Sequence, residues 1–267
     1  MSNVSDNGEA FVTTLITDDY LPGVLILNRS ILETCKHHLY VLAARNLAEG
    51  TYESLRCCGI PFCVADDIYA DPALFAESDP AYSHWTKTLF KLRIFELTQF
   101  HKIVFIDCDI MVLVPIDDLF ERPDMSAAVA GGSFPGNEDW RDLASGVLVV
   151  EPRAGIIEEL IALVPAVASE KRTFGDQDVL IKYFSDWPHN EHLHLSESYN
   201  VFFDHYQFYL KRGEVKTLHF IGRKKPWMMP RAAFLIQIVR CIVKGNSRGI
   251  VMLLRYRRYQ KDVGMFG

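Results

Sequence analysis

Short runs of apolar residues alternate along this chain with longer stretches in which apolar and polar positions recur at helical spacing. Apolar runs rich in β-branched and aromatic residues are typical of buried strands, whereas a period near 3.6 residues is typical of helices that pack one face on a sheet. Strands are predicted at 10–16, 39–44, 60–65, 103–106, 126–130, 146–150 and 215–220. Helices are predicted at 23–32, 47–57, 86–100, 156–164 and 178–184.

The order of these elements predicts the fold class. Strands that alternate with helices are typical of an α/β fold with a mostly parallel central sheet. The chain has 267 residues, which is long enough to form a core without disulfide or metal staples. We expect one α/β domain at 1–227 and a tail at 228–267.

Cysteine usage and hydropathy indicate the compartment. The six cysteines lack the paired spacing of a zinc site, so we expect reduced and mostly buried thiols. The chain has no window of about 18 uncharged apolar residues, which argues against a spanning helix. Its polar N-terminus lacks the basic and apolar regions of a secretory signal. These features predict a cytoplasmic protein.

The predicted strand at 103–106 runs directly into two carboxylates, Asp107 and Asp109. Ligands of doubly wound α/β folds bind beyond the carboxyl ends of the strands. On an extended chain, two-residue spacing would put both carboxylates on one side, where they repel each other unless a cation lies between them. Their oxygen ligands suit Mg²⁺ or Mn²⁺, which usually serve phosphate groups. The alternative is a loop with capping aspartates.

A second polar cluster follows the last predicted strand. Residues 219–227 include one imidazole, one glycine and three basic side chains. His219 would complete a metal site with the two aspartates, and an imidazole ligand favours Mn²⁺ over Mg²⁺. Gly222 permits close backbone approach, and Lys225 offers a point charge for a diphosphate. Alone, a histidine at a strand end is more often structural.

Five segments together resemble the glycogenin-like family 8 glycosyltransferases. They are TLITDDYLPG, FKLRIFELTQFHKIVFIDCDIMVLVPIDDLF, LASGVLVVEP, FGDQDVLI and HFIGRKKPW, and they occur in that family's order over about residues 10–227. The resemblance implies a GT-A fold, a divalent metal and retention of the anomeric configuration. It also implies a nucleotide-sugar donor, usually a UDP-sugar.

The resemblance further implies roles for particular residues. Asp107, Asp109 and His219 match the family's metal ligands. Asp176 and Gln177 match the pair that faces the reacting carbon of the sugar, and Lys91 is counted with them as catalytic. The donor-binding positions are matched by Thr17, Asp18, Tyr20, Lys91, Ser145, Gly222 and Lys225. Without the resemblance, Lys91 would be interpreted as a solvated helix charge and Asp176 as a helix N-cap.

Three positions depart from the glycogenin pattern. Ala144 stands where the family usually carries Asn, Ala130 roughly where it carries Asp, and Thr173 where it carries an acidic residue. The resemblance implies that these positions face the donor sugar, so glucose, galactose and an N-acetylhexosamine all stay open as the group transferred. Tyr206 and Tyr209 lie roughly where a self-glucosylating tyrosine would fall, and we expect both to be structural or acceptor-stacking aromatics.

The tail at 228–267 differs from the body in charge. It holds eight basic residues and one acidic residue, which leaves 20 basic and 33 acidic residues in 1–227. Bases interleaved with aliphatic residues are typical of an amphipathic segment that lies in an anionic membrane interface. The alternative is a helix that packs its apolar face on the acidic body. This charge distribution argues against a nucleic-acid partner.

Together, these features predict a retaining, metal-dependent glycosyltransferase at the inner membrane face, acting on a glycan or lipid-linked acceptor, with a homodimer left open. A self-glucosylating primer and a non-catalytic nucleotide-sugar-binding protein are the alternatives. Retention requires a covalent intermediate or attack from the leaving-group face. We favour same-face attack, because the neutral amide of Gln177 is a poor nucleophile.

Overall fold

The computed structural model describes residues 8–68, 71–75, 80–213, 215–222, 225–243 and 247–264. Its strands are β1 (Glu9–Leu15), β2 (Leu39–Ala44), β3 (Phe62–Ala65), β4 (Lys102–Ile106), β5 (Ile110–Val112), β6 (Ala127–Ala128), β7 (Val147–Val150), β8 (His194–Leu195), β9 (Val201–Phe202) and β10 (Thr217–His219). Its α-helices are α1 (Leu21–Thr34), α2 (Glu49–Cys57), α3 (Ile156–Glu170), α4 (Asp176–Tyr183), α5 (Tyr206–Leu210), α6 (Arg231–Val243) and α7 (Ser247–Asp262).

The central sheet contains seven of these strands in the order β3-β2-β1-β4-β7-β6-β8. β1, β2, β3 and β4 run parallel, whereas β7 is antiparallel to both β4 and β6. Six of the seven residues of β1 are buried, as expected for a central strand covered on both faces. The mostly parallel α/β sheet expected from the sequence is therefore confirmed.

A smaller sheet with the order β5-β10-β9 continues from the acidic turn after β4. In this sheet β10 pairs antiparallel with β5, so that His219 lies opposite Ile110, the residue after Asp109. The backbone N–H of Phe220 also donates to the Asp109 carbonyl over 3.0 Å. The small sheet thus brings chain positions more than 100 residues apart to one edge of the central sheet.

Asp107 and Asp109 do not lie on the extended chain that was expected from the sequence. These residues form a turn rather than an extended strand, with the Ile110 N–H donating to the Asp107 carbonyl over 3.0 Å. A turn between β4 and β5 brings the two carboxylates together as effectively as the pleat of a strand.

Other boundaries also differ from the predicted ones. The helix predicted at 86–100 is a 3-10 helix, Pro80–Glu96. The strand predicted at 126–130 shortens to β6, and the one predicted at 215–220 shortens to β10. The unpredicted strands β5, β8 and β9 have only two or three residues, too few to show a two-residue period.

The tail expected as one segment divides into two helices with different surroundings. Helix α7 packs on α1 and α5, and its Tyr256 and Tyr259 are buried in a second apolar core beneath the small sheet. Helix α6 leaves several large apolar side chains in solvent. Among the described residues, no helix combines the length and apolarity needed to cross a bilayer.

Candidate functional site

Two carboxylates and one imidazole converge at the carboxyl end of β4. Asp107 and Asp109 follow that strand, and His219 ends β10. His219 Nε2 lies 3.1 Å from Asp109 Oδ1 and 4.0 Å from Asp107 Oδ2. One ligand atom from each of the three residues lies within 4.8 Å of the others. The three side chains predicted as metal ligands are therefore brought together.

Buried Asn200 orients the imidazole. Its Oδ1 accepts a hydrogen bond from His219 Nδ1 over 2.8 Å, which leaves Nε2 directed at the aspartates. An oxygen acceptor on the far nitrogen is the usual way in which proteins orient a metal-binding histidine. The donor set of two carboxylates and one oriented imidazole fits a Mn²⁺ or Mg²⁺ ion.

Gly146 allows the imidazole and Asn200 to come this close. A Cβ atom at Gly146 would lie 2.9 Å from His219 Cε1 and 3.0 Å from Asn200 Nδ2. Both distances are shorter than ordinary carbon contacts, so a side chain here would displace His219. The glycine also accepts the Asp107 N–H at its carbonyl over 2.9 Å, which ties β7 to the acidic turn.

Lys91 links Asp107 to Asp176. Its Nζ lies 2.9 Å from an oxygen of each carboxylate and 3.1 Å from Ser145 Oγ. Burial alone would lower the pKa of this lysine, but Asp107 and Asp176 outweigh burial and raise it. Lys91 is therefore a buried cation of the site, and its interpretation as a solvated helix charge is wrong.

The two aspartates of the acidic turn have different electrostatic surroundings. Burial raises the pKa of Asp107, and the neighbouring charge of Asp109 adds to this increase. Burial also acts to raise the pKa of Asp109, but His219 and Lys225 outweigh it, so the pKa is lowered. Lys225 Nζ lies 2.5 Å from Asp109 Oδ2. Each aspartate thus contacts its own lysine, Lys91 or Lys225.

Asp176 and Gln177 begin α4 beside Lys91. The N-terminal capping contact of this helix comes from Asp178, whose Oδ2 accepts the Gly175 N–H over 2.9 Å. The carboxylate of Asp176 is left for the ion pair with Lys91, so the N-cap alternative is wrong for Asp176. Gln177 Oε1 accepts the Ser145 N–H over 3.0 Å, which fixes Gln177 beside the same cluster.

The loop after β1 contains Thr17, Asp18 and Tyr20, which the resemblance predicts to bind the sugar donor. Half-buried Tyr20 forms an edge-to-face contact with Trp227, with 5.6 Å between ring centroids. Trp227 Nε1 donates to the Asp19 carbonyl over 2.9 Å, which joins this loop to the segment after β10. Thr17 donates through its hydroxyl to the Asp19 carboxylate.

Asp18 holds the next helix instead of facing the acidic turn. Its Oδ1 accepts the Ala48 N–H over 3.0 Å and the Thr51 hydroxyl over 2.5 Å at the start of α2. Gly222 lies exposed after β10 with φ +94°, a conformation that favours glycine. The described contacts of Asp18 are therefore with the start of α2, and Gly222 lies in solvent after β10.

Tyr206 and Tyr209 are packing residues. Both are buried in the core beneath the small sheet, and the Tyr209 hydroxyl donates to the Glu197 carboxylate.

Sequence reasoning missed Asn200, Gly146 and the contact between Trp227 and Tyr20. A buried asparagine between short strands gives no periodic signal, and its role follows only from the register of β9 and β10. For Trp227, the HFIGRKKPW segment contained the signal without showing its partner.

A mostly parallel sheet with an acidic turn at its carboxyl edge is the architecture of GT-A proteins. Residues 11–229 match the model described as Glycosyl transferase family 8, so the chain belongs to that family. Human glycogenin-1 is 34% identical over 235 residues, covering 82% of this chain and 62% of that protein. A putative UDP-glucuronate:xylan alpha-glucuronosyltransferase 4 from Arabidopsis thaliana is 29% identical, covering 83% of this chain and 37% of that protein.

The solved structures agree on the fold. The galactosyltransferase LgtC in complex with donor and acceptor sugar analogues matches with a TM-score of 0.63 at 16% identity. The match covers 96% of this chain and 98% of that one. It shows the GT-A fold, and the chain spans less than two thirds of the length of the glycogenin and glucuronosyltransferase relatives.

Proposed function

We propose that this protein is a retaining glycosyltransferase that uses Mn²⁺ or Mg²⁺ to move a hexose from a UDP-sugar to a glycan or lipid-linked saccharide. The observation that carries the proposal is the pair of aspartates beside His219, each in contact with a different buried lysine. A cluster of this kind joins a cation site to groups that bind phosphate and sugar. Family membership supports the same class of reaction.

The proposed metal ligands and Lys225 form the side of the cluster that would bind the leaving diphosphate. A divalent ion held by the three ligands would stabilise the negative charge that develops on departing UDP. Lys225 supplies a fixed positive charge at the same place, because it is buried beside Asp109 and needs little reorganisation during the reaction. Tyr20 and Trp227 close this side and form an aromatic contact suited to the nucleotide.

The sugar defines the role of the other side. In the same-face route, the bond between the anomeric carbon and the phosphate oxygen breaks, and its electron pair leaves with UDP. The anomeric carbon then bonds to the oxygen of an acceptor hydroxyl, whose proton passes to the departing phosphate oxygen. Asp176, held by Lys91, offers carboxylate oxygen to the positive charge that develops on the sugar. Trapping of a glycosylated Asp176 would contradict the same-face route and support double displacement.

The test is UDP release from a panel of UDP-sugars with and without Mn²⁺, in the native protein and in Asp109→Asn. We expect one donor to be turned over in a metal-dependent way, and the rate to fall about 10²-fold or more in the variant, since a ligand and a partner of Lys225 are both lost. Glu53→Gln, an exposed carboxylate on α2, is the matched control. UDP binding without turnover of any donor would favour a non-catalytic binding protein.

The exposed apolar face of α6 supports a further part of the proposal, which is contact with an anionic membrane. The side chains that form this face are Leu235, Ile236, Val239, Ile242 and Val243. Arg240 lies beside Leu235, Ile236, Val239 and Val243 in a shallow groove on this helix. An amphipathic helix with apolar residues beside bases binds at the headgroup level of an anionic bilayer. Such a position would bring the site to a lipid-linked acceptor.

Vesicle co-sedimentation with phosphatidylglycerol and with phosphatidylcholine tests the membrane contact. The variant Leu235→Ser/Val239→Ser should lose binding to the anionic vesicles, whereas Leu32→Ser, at an exposed apolar position on α1, should keep it. Point variants are preferable to deletion of the tail, because deletion would also remove α7 from the core. Unchanged binding of the double variant would contradict the membrane proposal.

A further inference from the structure

The loop at 131–142, here the Trp140 loop, presents a tryptophan to solvent close to the acidic turn. Trp140 is 46% exposed, although tryptophan gains more than most residues from burial. Binding residues are often found on loops that a rigid scaffold holds in place. The surroundings of Trp140 therefore decide whether this exposure has a function.

Hydrogen bonds hold the Trp140 loop in a defined shape. Consecutive turns close through N–H donors of Gly132, Phe134, Asn137 and Trp140, each bonded three residues back over 2.9–3.0 Å. The Ser133 N–H donates to both oxygens of Glu197 over 3.0 Å, and Tyr209 donates its hydroxyl to the same carboxylate. Trp140 therefore stands on a loop anchored to the second core.

Gly131 places the tryptophan beside the ring that flanks the metal ligand. A Cβ atom at Gly131 would lie 3.1 Å from Trp140 Cζ3 and 3.4 Å from Phe202 Cε2, so the two rings approach each other across this glycine. Phe202 in turn contacts His219 edge to face, with 5.9 Å between ring centroids. Trp140 is thus one aromatic ring away from the candidate metal centre.

The remaining sides of the centre are already assigned. Lys225, Tyr20 and Trp227 border it where the nucleotide diphosphate is proposed, and Lys91 with Asp176 borders it where the donor sugar is proposed. Phe202 flanks His219 from the neighbouring strand β9. The Phe202 side, extended outwards by Trp140, is left for the molecule that receives the sugar.

We infer that Trp140 forms an acceptor subsite on which the apolar face of a saccharide ring stacks. The inference rests on the proposed glycosyltransferase function and adds a substrate contact to it. A flat aromatic face binds the C–H surface of a sugar, and neighbouring polar groups bind its hydroxyls. Exposed Asp139 and Arg141 flank the tryptophan in the sequence and supply both acceptors and donors.

The charge of the Trp140 loop favours a saccharide over the other ligands that an exposed tryptophan could bind. The loop carries three acidic side chains, Glu138, Asp139 and Asp142, and a single base, Arg141. This acidic balance would repel the phosphates of nucleic acid and of anionic lipid. A neutral saccharide, which carries hydroxyls and an apolar face, fits the surface.

The experiment compares Trp140→Ala, Trp140→Phe and the control Leu32→Ala in two assays. The first is UDP release from the accepted donor with water as the only acceptor. The second is the acceleration of that release by lactose, maltose and cellobiose. We expect Trp140→Ala to raise the saccharide KM roughly tenfold, as the loss of one aromatic stack implies, while leaving donor hydrolysis unchanged. Trp140→Phe should restore most of the affinity, and Leu32→Ala should behave as the native protein.

The outcomes distinguish failure of the acceptor subsite from failure of the proposed glycosyltransferase activity. Absence of UDP release in the native protein would count against the glycosyltransferase itself. Normal donor hydrolysis combined with an unchanged saccharide KM in Trp140→Ala would overturn the subsite alone. Native protein that hydrolyses the donor but responds to none of the three disaccharides would overturn the subsite as well.

Discussion

Helices α6 and α7 come from the same basic, aliphatic tail, yet the fold uses them differently. Helix α7 buries Tyr256 and Tyr259 against α1 and the small sheet. Helix α6 leaves Leu235 61% exposed and Val243 81% exposed. Helix α6 carries two basic residues and no tyrosine, whereas α7 carries five basic residues and two tyrosines. The two helices therefore differ in composition as well as in the partners that the fold provides. An amphipathic tail is therefore not one functional unit here: one part stabilises the site, and the other is available for contact.

Helix α7 is matched to the body by charge as well as by apolar contact. Glu33 on α1 accepts from Arg258 over 2.8 Å at both oxygens and from Arg255 over 3.2 Å. Arg29 of α1 pairs with Asp262 over 3.3 Å. Packing of a basic helix on the acidic body, the alternative raised from the sequence, thus applies to α7.

Removing the buried ring of Tyr256 from α7 should cause the largest loss in the free energy of unfolding. Tyr256 packs on Phe220, which follows His219, with 5.0 Å between ring centroids. We expect Tyr256→Ala to lower the free energy of unfolding by about 3–5 kcal/mol, because a large buried ring leaves a cavity. Urea unfolding measures this value. Val251→Ala, on an exposed position of the same helix, should change it by less than about 0.5 kcal/mol. If Tyr256→Ala lowered the free energy of unfolding as little as Val251→Ala does, α7 would not be an integral part of the fold.

The ion pairs of α7 should contribute a smaller, pH-dependent effect. Burial would raise the pKa of Glu33, but hydrogen bonds from Tyr259 and Arg258 outweigh it and lower the pKa. A lowered carboxyl pKa gives stabilisation that is complete above the ordinary glutamate range and is lost as the pH falls through the folded-state pKa. Because the network is largely exposed, Glu33→Gln should cost less than about 1 kcal/mol at neutral pH.

Unfolding measured from neutral to acidic pH checks this prediction. The cost of Glu33→Gln should shrink as the pH falls, since the native carboxylate is then protonated as well. A cost that stays constant with pH would mean that the variant disturbs packing and that charge plays no part.

The apolar face of α6 should contribute least to stability. Leu235→Ser/Val239→Ser should shift the free energy of unfolding by no more than about 0.5 kcal/mol for each substitution, because solvent already reaches both side chains. The same variant should lose vesicle binding. A large loss of stability would place α6 with α7 as a structural helix and remove the contrast between them.

The sequence was sufficient to predict the parts of the site that lie next to regular strands. Asp107 and Asp109 follow the short apolar run at 103–106, and His219 lies near the end of the strand predicted at 215–220, so the predicted strands located both. Asn200 and Phe202 escaped because their roles depend on the pairing of the two-residue strand β9 with β10. Gly146 escaped because its role depends on the close approach of His219 and Asn200. The division of the tail was not predicted, because only the tertiary packing shows that Tyr256 is buried and Leu235 is exposed.

The measurement that tests the central claim most directly is Mn²⁺ binding followed by electron paramagnetic resonance, with and without UDP. Free Mn²⁺ gives a sharp signal that disappears on binding. The native protein should deplete this signal, more strongly when UDP is present, and Asp109→Asn should not, while the control Glu53→Gln should bind as the native protein does. Equal depletion by the native protein and Asp109→Asn would contradict a metal site at Asp107, Asp109 and His219.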